Sequence, residues 1–226
     1  MKILVIAAHP DDEVLGCGGT IRRLSSQGAE VHVLILATGL TSRADFPSES
    51  ASADLEVHYE RARKAAVLLG AMNVSFAGFP DQKMDTLPLL QVTQRIESEL
   101  ELIKPDTVFT HHGGDLNMDH VITYRATLTA TRPTTSSGVR AVYAYEIPSS
   151  TEWAFQRFEP KFQPNLFLDI SETLPLKVEA MHIYESEARP FPHPRSPLAL
   201  ESIARKWGST VGCKAAEAFE IVREIR

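Results

Sequence analysis

The chain opens with an unbroken apolar run, residues 2–8, with no alternation of polar and apolar positions. Such a run predicts a strand buried on both faces. Residues 13–27 then follow a helical spacing, with Val14, Leu15, Ile21 and Leu24 on one side and Gly28 as the stop. Residues 31–37 form a second apolar run, so the first forty residues predict a βαβ unit with a right-handed crossover.

The alternation continues. Helices are predicted over 55–70, 88–104, 119–131 and 171–186, and from 197 to about 207. Strands are predicted over 74–77, 107–110, 139–147 and 166–170, and 216–225 closes the chain. Residues 38–54 are rich in Ser, Asp and Pro and read as a loop. Residues 148–164 have no clear period, and the prolines around residues 189–195 forbid regular helix there. The pattern predicts an α/β doubly wound, Rossmann-like three-layer fold with a mostly parallel sheet, formed by residues 1–226 as a single domain.

Composition narrows the function classes. The 226 residues are 43% hydrophobic and 23% charged, which suits a globular protein with a sizeable core. A net charge of −6 argues against a general nucleic-acid surface. The two cysteines, Cys17 and Cys213, form no C-x-x-C pair, so neither a disulfide framework nor a thiolate zinc site is expected, and a cytoplasmic location is. The amino terminus reads as a strand and not a signal peptide. No apolar run reaches the roughly 20 residues that span a bilayer.

Two polar clusters fall at predicted strand ends, where ligands bind in open α/β sheets. The first is His9-Pro10-Asp11-Asp12-Glu13, the second His111-His112-Gly113-Gly114-Asp115-Leu116-Asn117-Met118-Asp119-His120. One imidazole and three carboxylates within five residues are costly to bury unless a cation or water chemistry compensates. His9 and Asp12, three apart across a turn, can converge on one point, and His120 adds a distant imidazole. That N, O, N set matches a catalytic zinc site with one position left for water. Asp11 is then free to act as general base, and Glu13 suits the positive end of a helix dipole. His111 and His112 read as structural. Gly16-Cys17-Gly18-Gly19 is not a dinucleotide fingerprint and reads as close packing of helix on strand, with Cys17 a small buried residue.

Ala8-His9-Pro10-Asp11-Asp12-Glu13 and Asp115-x-Asn117-x-Asp119-His120 resemble the two motifs of the LmbE-like, or PIG-L, family of zinc-dependent N-deacetylases. The likeness runs on through Phe79-Pro80-Asp81, Pro105-Asp106, Pro164-Asn165, Asp169-Ile170, Lys177, His193-Pro194-Arg195-Ser196 and Ala216-Glu217-Ala218-Phe219. The resemblance implies His9, Asp12 and His120 as ligands of one Zn2+, with Fe2+ as another ion such a site accepts, and Asp11 as the base. It implies removal of an N-acetyl group from an N-acetylglucosamine-type sugar, free, conjugated or in an oligosaccharide, and a homo-oligomer. Where several family members carry a histidine, this chain has Asn117, which can donate a hydrogen bond but not a proton. Asn117, Asp115, His193 and Arg195 are therefore candidates for substrate or oxyanion contacts, and Trp153 for the rim of the pocket. The alternatives are a hydrolase of a larger amide, an Fe(II) oxygenase using the same triad, and a nucleotide-binding domain without catalysis.

Overall fold

The structure is a computed structural model that describes residues 1–39, 51–133, 138–185 and 187–226. In chain order the elements are β1 (Lys2–Ala7), α1 (Asp12–Ser26), β2 (Glu30–Ala37), α2 (Ala51–Leu69), β3 (Asn73–Phe79), α3 (Leu89–Ile103) and β4 (Thr107–His111). They continue with α4 (Met118–Ala130), β5 (Ala141–Tyr145), β6 (Leu166–Asp169), α5 (Leu174–Ile183), α6 (Pro197–Val211) and β7 (Ala216–Glu224). Most of the loop expected over 38–54 lies outside the described residues.

Among the described residues, seven strands make one sheet in the order β3-β2-β1-β4-β5-β7-β6. The first five pair in parallel. β7 runs antiparallel to both of its neighbours, β5 and β6. β1 lacks alternation because both of its faces are covered. Ile3, Val5 and Ala7 meet Val14 and Leu15 of α1, Ala62 and Ala65 of α2 and Met181 of α5. Leu4 and Ile6 meet Val92 and Ile96 of α3 and Ala126 of α4 on the other face. The predicted helix over 171–186 shortens to α5, with Leu174 and Pro175 in its first turn. The last helix extends to Val211, where Gly212 at φ +83 takes the left-handed conformation that ends it.

The glycine run lies inside α1 and packs as the sequence suggests. A Cβ at Gly16 would run into the ring of Tyr145, and one at Gly19 would lie 2.8 Å from Ile170. Tyr145 cannot easily give way, because it is fully buried and its hydroxyl donates to the Ile6 carbonyl at 2.7 Å. Gly16→Ala is expected to destabilise the fold by about 1–3 kcal/mol through overpacking. That corresponds to a Tm lower by roughly 3–10 °C for a chain of this size, readable by calorimetry. An unchanged Tm would show that the ring moves aside.

Candidate metal centre

The strand order reverses between β1 and β4, which are paired from Ile3↔Thr107 to Val5↔Phe109. The connections leave these two strands toward opposite faces, so a crevice opens at their carboxyl ends. His9 leaves β1 there, His111 ends β4, and His120 lies in the first turn of α4. Between His9 and α1 the backbone of Asp11 adopts φ 115, a conformation unfavourable for any residue with a Cβ. It is held by its own carbonyl, which accepts the amides of Val14 at 3.0 Å and Leu15 at 2.9 Å. Asp11 is thus the N-cap of α1, and Asp12 is the first helical residue.

The three expected ligands come together. Asp12 Oδ2 lies 3.1 Å from His9 Nδ1 and 3.4 Å from His120 Nε2. All three residues are buried, and their candidate ligand atoms lie within 4.8 Å of one another. Among the described residues, Asp12 Oδ1 and His120 Nε2 have no hydrogen-bond partner. Two orphaned buried polar atoms in one cluster are costly, and a divalent cation satisfies both. The donor set therefore fits such an ion.

The electrostatics agree. Burial by itself lowers the pKa of His9, but its hydrogen bonds to Asp119 and Asp12 override that and raise it to about 10. At His120 burial is likewise outweighed, by the charges of Asp12 and Asp115, and the pKa rises to about 9. A field that holds protons this strongly also attracts a cation.

Three further carboxylates orient the imidazoles. His9 Nε2 sits 3.1 Å from Asp119 Oδ2 and 3.3 Å from Asp81 Oδ1, which leaves Nδ1 facing Asp12. His120 Nδ1 sits 3.1 Å from Asp115 Oδ1, which leaves Nε2 facing Asp12. A carboxylate behind each ligating histidine fixes its tautomer and ring orientation. Asp115 is itself held by Thr151 Oγ1 at 2.6 Å, by Ser150 Oγ, and by the Asn117 amide at 2.8 Å. His9, Asp81 and Asp119 form a second group able to hold a cation. It is the poorer fit, since Asp119 already accepts the backbone amides of Gln82 at 2.8 Å and Met84 at 3.0 Å. The roles of Asp81 and Asp119 escaped the sequence reading. The available signals were the Phe79-Pro80-Asp81 segment and the position of Asp119 beside His120.

His111 stands close by without joining the set. Its Nε2 is 3.4 Å from Asp12 Oδ2, and its ring stacks on His120 at 4.1 Å. That nitrogen accepts the Ala8 amide at 2.8 Å, so its lone pair is occupied. Burial and the neighbouring His120 charge hold its pKa well below the usual histidine value, which keeps it neutral.

The other expected site residues fall into two places. Arg195 Nη1 reaches Asp11 Oδ2 at 2.6 Å, with Glu187 Oε2 at 3.3 Å from Nη1 and Ser149 Oγ at 2.8 Å from Nε. Burial raises the Asp11 pKa well above the ordinary carboxylate value against the pull of Arg195. Glu13 accepts the Asp11 amide and the Tyr184 hydroxyl, and burial lifts its pKa to about 7. His193 lies further out. Its ring meets that of Trp153 edge-on at 5.9 Å, and its Nδ1 accepts the Arg195 amide at 3.2 Å. Asn117 caps α4, its Oδ1 accepting the Asp119 amide at 2.9 Å. Trp153 is 42% exposed, as a rim residue would be.

Comparison with known proteins supplies the relatives. The family model described as PIG-L, GlcNAc-PI de-N-acetylase, matches residues 4–131. The diacetylchitobiose deacetylase of Thermococcus kodakarensis is 26% identical over 249 residues, covering 99% of this chain and 84% of that protein. Among solved structures, the N,N'-diacetylchitobiose deacetylase of Pyrococcus horikoshii in complex with an inhibitor is 24% identical with a TM-score of 0.78, covering 98% of this chain and 84% of that one. The 4-carboxy-2-hydroxymuconate hydratase of Pseudomonas putida is 23% identical with a TM-score of 0.78, covering 100% of this chain and 97% of that one. These likenesses establish the fold, and the hydratase shows that one architecture carries more than one chemistry.

Proposed function

Because the chain belongs to the PIG-L, or GlcNAc-PI de-N-acetylase, family, we propose that it hydrolyses the N-acetyl group of an N-acetylglucosamine-type sugar, conjugate or oligosaccharide. The observation that carries this reading is the buried His9–Asp12–His120 cluster, with two orphaned ligand atoms and a further carboxylate, Asp11, beside it.

A divalent ion held there, which we take to be Zn2+, supplies Lewis acidity toward an amide carbonyl and brings the pKa of water down to about 7. The remaining work falls to the chain. Asp11 accepts a proton from the attacking water and returns it to the amide nitrogen, so that acetate and a free amine leave. Arg195, anchored by Ser149 and Glu187, holds the Asp11 carboxylate in one orientation. Asp115 and Asp119 keep the two imidazoles aimed at Asp12. His193 and Trp153, whose rings meet edge-on at 5.9 Å, contact the sugar.

The larger-amide alternative differs only in the acyl group and is separated by the same assay. No observation favours the oxygenase reading, and Asp11 gives the site the base that hydrolysis needs. Among the described residues no helix is long and apolar enough to cross a membrane. Both cysteines are free, and we infer a reducing, cytoplasmic setting.

The test is acetate and amine release by zinc-loaded protein from N-acetylglucosamine, N,N'-diacetylchitobiose and N-acetylglucosamine conjugates. Equimolar acetate and amine are expected from at least one of them. Dipicolinate should abolish the release and added zinc restore it. Protein with bound zinc that frees no acetate across the panel would overturn the proposal.

A further inference from the structure

Helix α1 begins at the metal centre, yet its interior holds Gly16, Gly18 and Gly19. Each glycine weakens a helix by about 1 kcal/mol relative to alanine, so this is a poor support for a strained N-cap unless something else braces it. Two buried side chains from distant elements reach its backbone. Lys177 of α5 donates from Nζ to the Leu15 carbonyl at 2.8 Å and to Glu217 Oε1 at 2.6 Å. Glu217 of β7 accepts the Gly19 amide on Oε1 at 3.0 Å and the Thr20 amide on Oε2 at 2.7 Å. The Leu15 carbonyl and the Gly19 amide are the two groups that an α-helix pairs with each other. Here each meets one member of an ion pair.

The glycines make this approach possible. A Cβ at Gly18 would lie 3.1 Å from Lys177 Cγ, and one at Gly19 would lie 2.8 Å from Ile170, at the start of the segment that leads into α5. The link to the site is one residue long. Leu15, whose carbonyl Lys177 holds, donates its amide to the Asp11 carbonyl at 2.9 Å. Asp11 in turn sits in its left-handed conformation beside Asp12.

We propose that Lys177 and Glu217 are positioning residues, a side-chain clamp on the α1 backbone that fixes the turn presenting Asp11 and Asp12. The consequence for catalysis rests on the deacetylase reading above, whereas the consequence for the turn does not.

The experiment compares wild type, Lys177→Met and the double variant Lys177→Met/Glu217→Gln by hydrogen exchange, acetate-release kinetics and thermal melting. In Lys177→Met, the amides of Val14 and Leu15 should exchange about tenfold faster relative to those of α6, a local opening and not global unfolding. A turn displaced by a fraction of an ångström should lower kcat about tenfold with KM within about twofold. The double variant also removes the stranded charge, while the glutamine carbonyl keeps one of the two amide contacts, so it should regain part of the lost Tm yet keep the low kcat, since Leu15 still lacks the lysine donor. It carries the measurement if the single variant does not fold. A kcat within about twofold of wild type, or recovery of kcat together with Tm in the double variant, would overturn the proposal. If the wild type proves to have no deacetylase activity, unchanged exchange at Val14 and Leu15 overturns it independently.

Discussion

Asp12→Ala protein is expected to take up no zinc and to lose about a thousandfold or more in kcat/KM, because a catalytic metal contributes several kcal/mol of transition-state stabilisation. Asp12 Oδ2 is the hub of the cluster: it faces His9 Nδ1, His111 Nε2 and His120 Nε2 and accepts the His9 amide at 2.8 Å. Without the carboxylate, three buried imidazoles confront one another with no anion between them, and a cation loses its one charged ligand. Asp115→Asn makes the graded control. It leaves all three ligands in place but weakens the partner behind His120, so zinc affinity should fall about 10–100-fold. Zinc content after equilibrium dialysis, read beside acetate release, checks both. Asp12→Ala that retains zinc and turnover would place the metal centre elsewhere.

The second large effect concerns a residue that touches no metal in this assignment. Asp11→Asn should keep its zinc and its fold while kcat drops about 10²–10⁴-fold, the usual contribution of a general base. The substitution is well suited to the position. Asparagine is among the few residues that tolerate positive φ, so the N-cap of α1 survives. Its amide can still lie against Arg195, although the 2.6 Å ion pair loses its charge. It cannot accept a proton from water at neutral pH. Single-turnover acetate release by protein of verified zinc content separates the chemical step from binding. A variant that keeps more than about a tenth of the wild-type kcat would exclude Asp11 as the base.

Much of the fold was legible because it follows from local pattern. The unalternating residues 2–8 required cover on both faces, and the two helical layers supply it. The spacing of His9 and Asp12 was likewise readable, since three residues across a turn bring two side chains together whatever surrounds them. Element ends were less legible. The predicted helix over 171–186 extended past both ends of α5, and nothing local announced that β7 would run against its neighbours.

The partners of the site residues were the least legible. His111 and His120 look alike as letters. Only the docking of β1 against β4, which places the Ala8 amide on His111 Nε2, decides which imidazole keeps a free lone pair. Arg195 read as a candidate substrate or oxyanion contact, and only the fold shows that it reaches Asp11, 184 positions earlier in the chain.

From sequence alone come the layers, the crevice at the strand ends and the chemical types gathered there, because these depend on hydrophobic period and on neighbours within one turn. The tertiary structure alone decides which nitrogen lone pairs stay open, which carboxylate stands behind each imidazole, and what anchors the base. Those depend on directional contacts of about 3 Å between segments remote in the chain, and no local pattern encodes them.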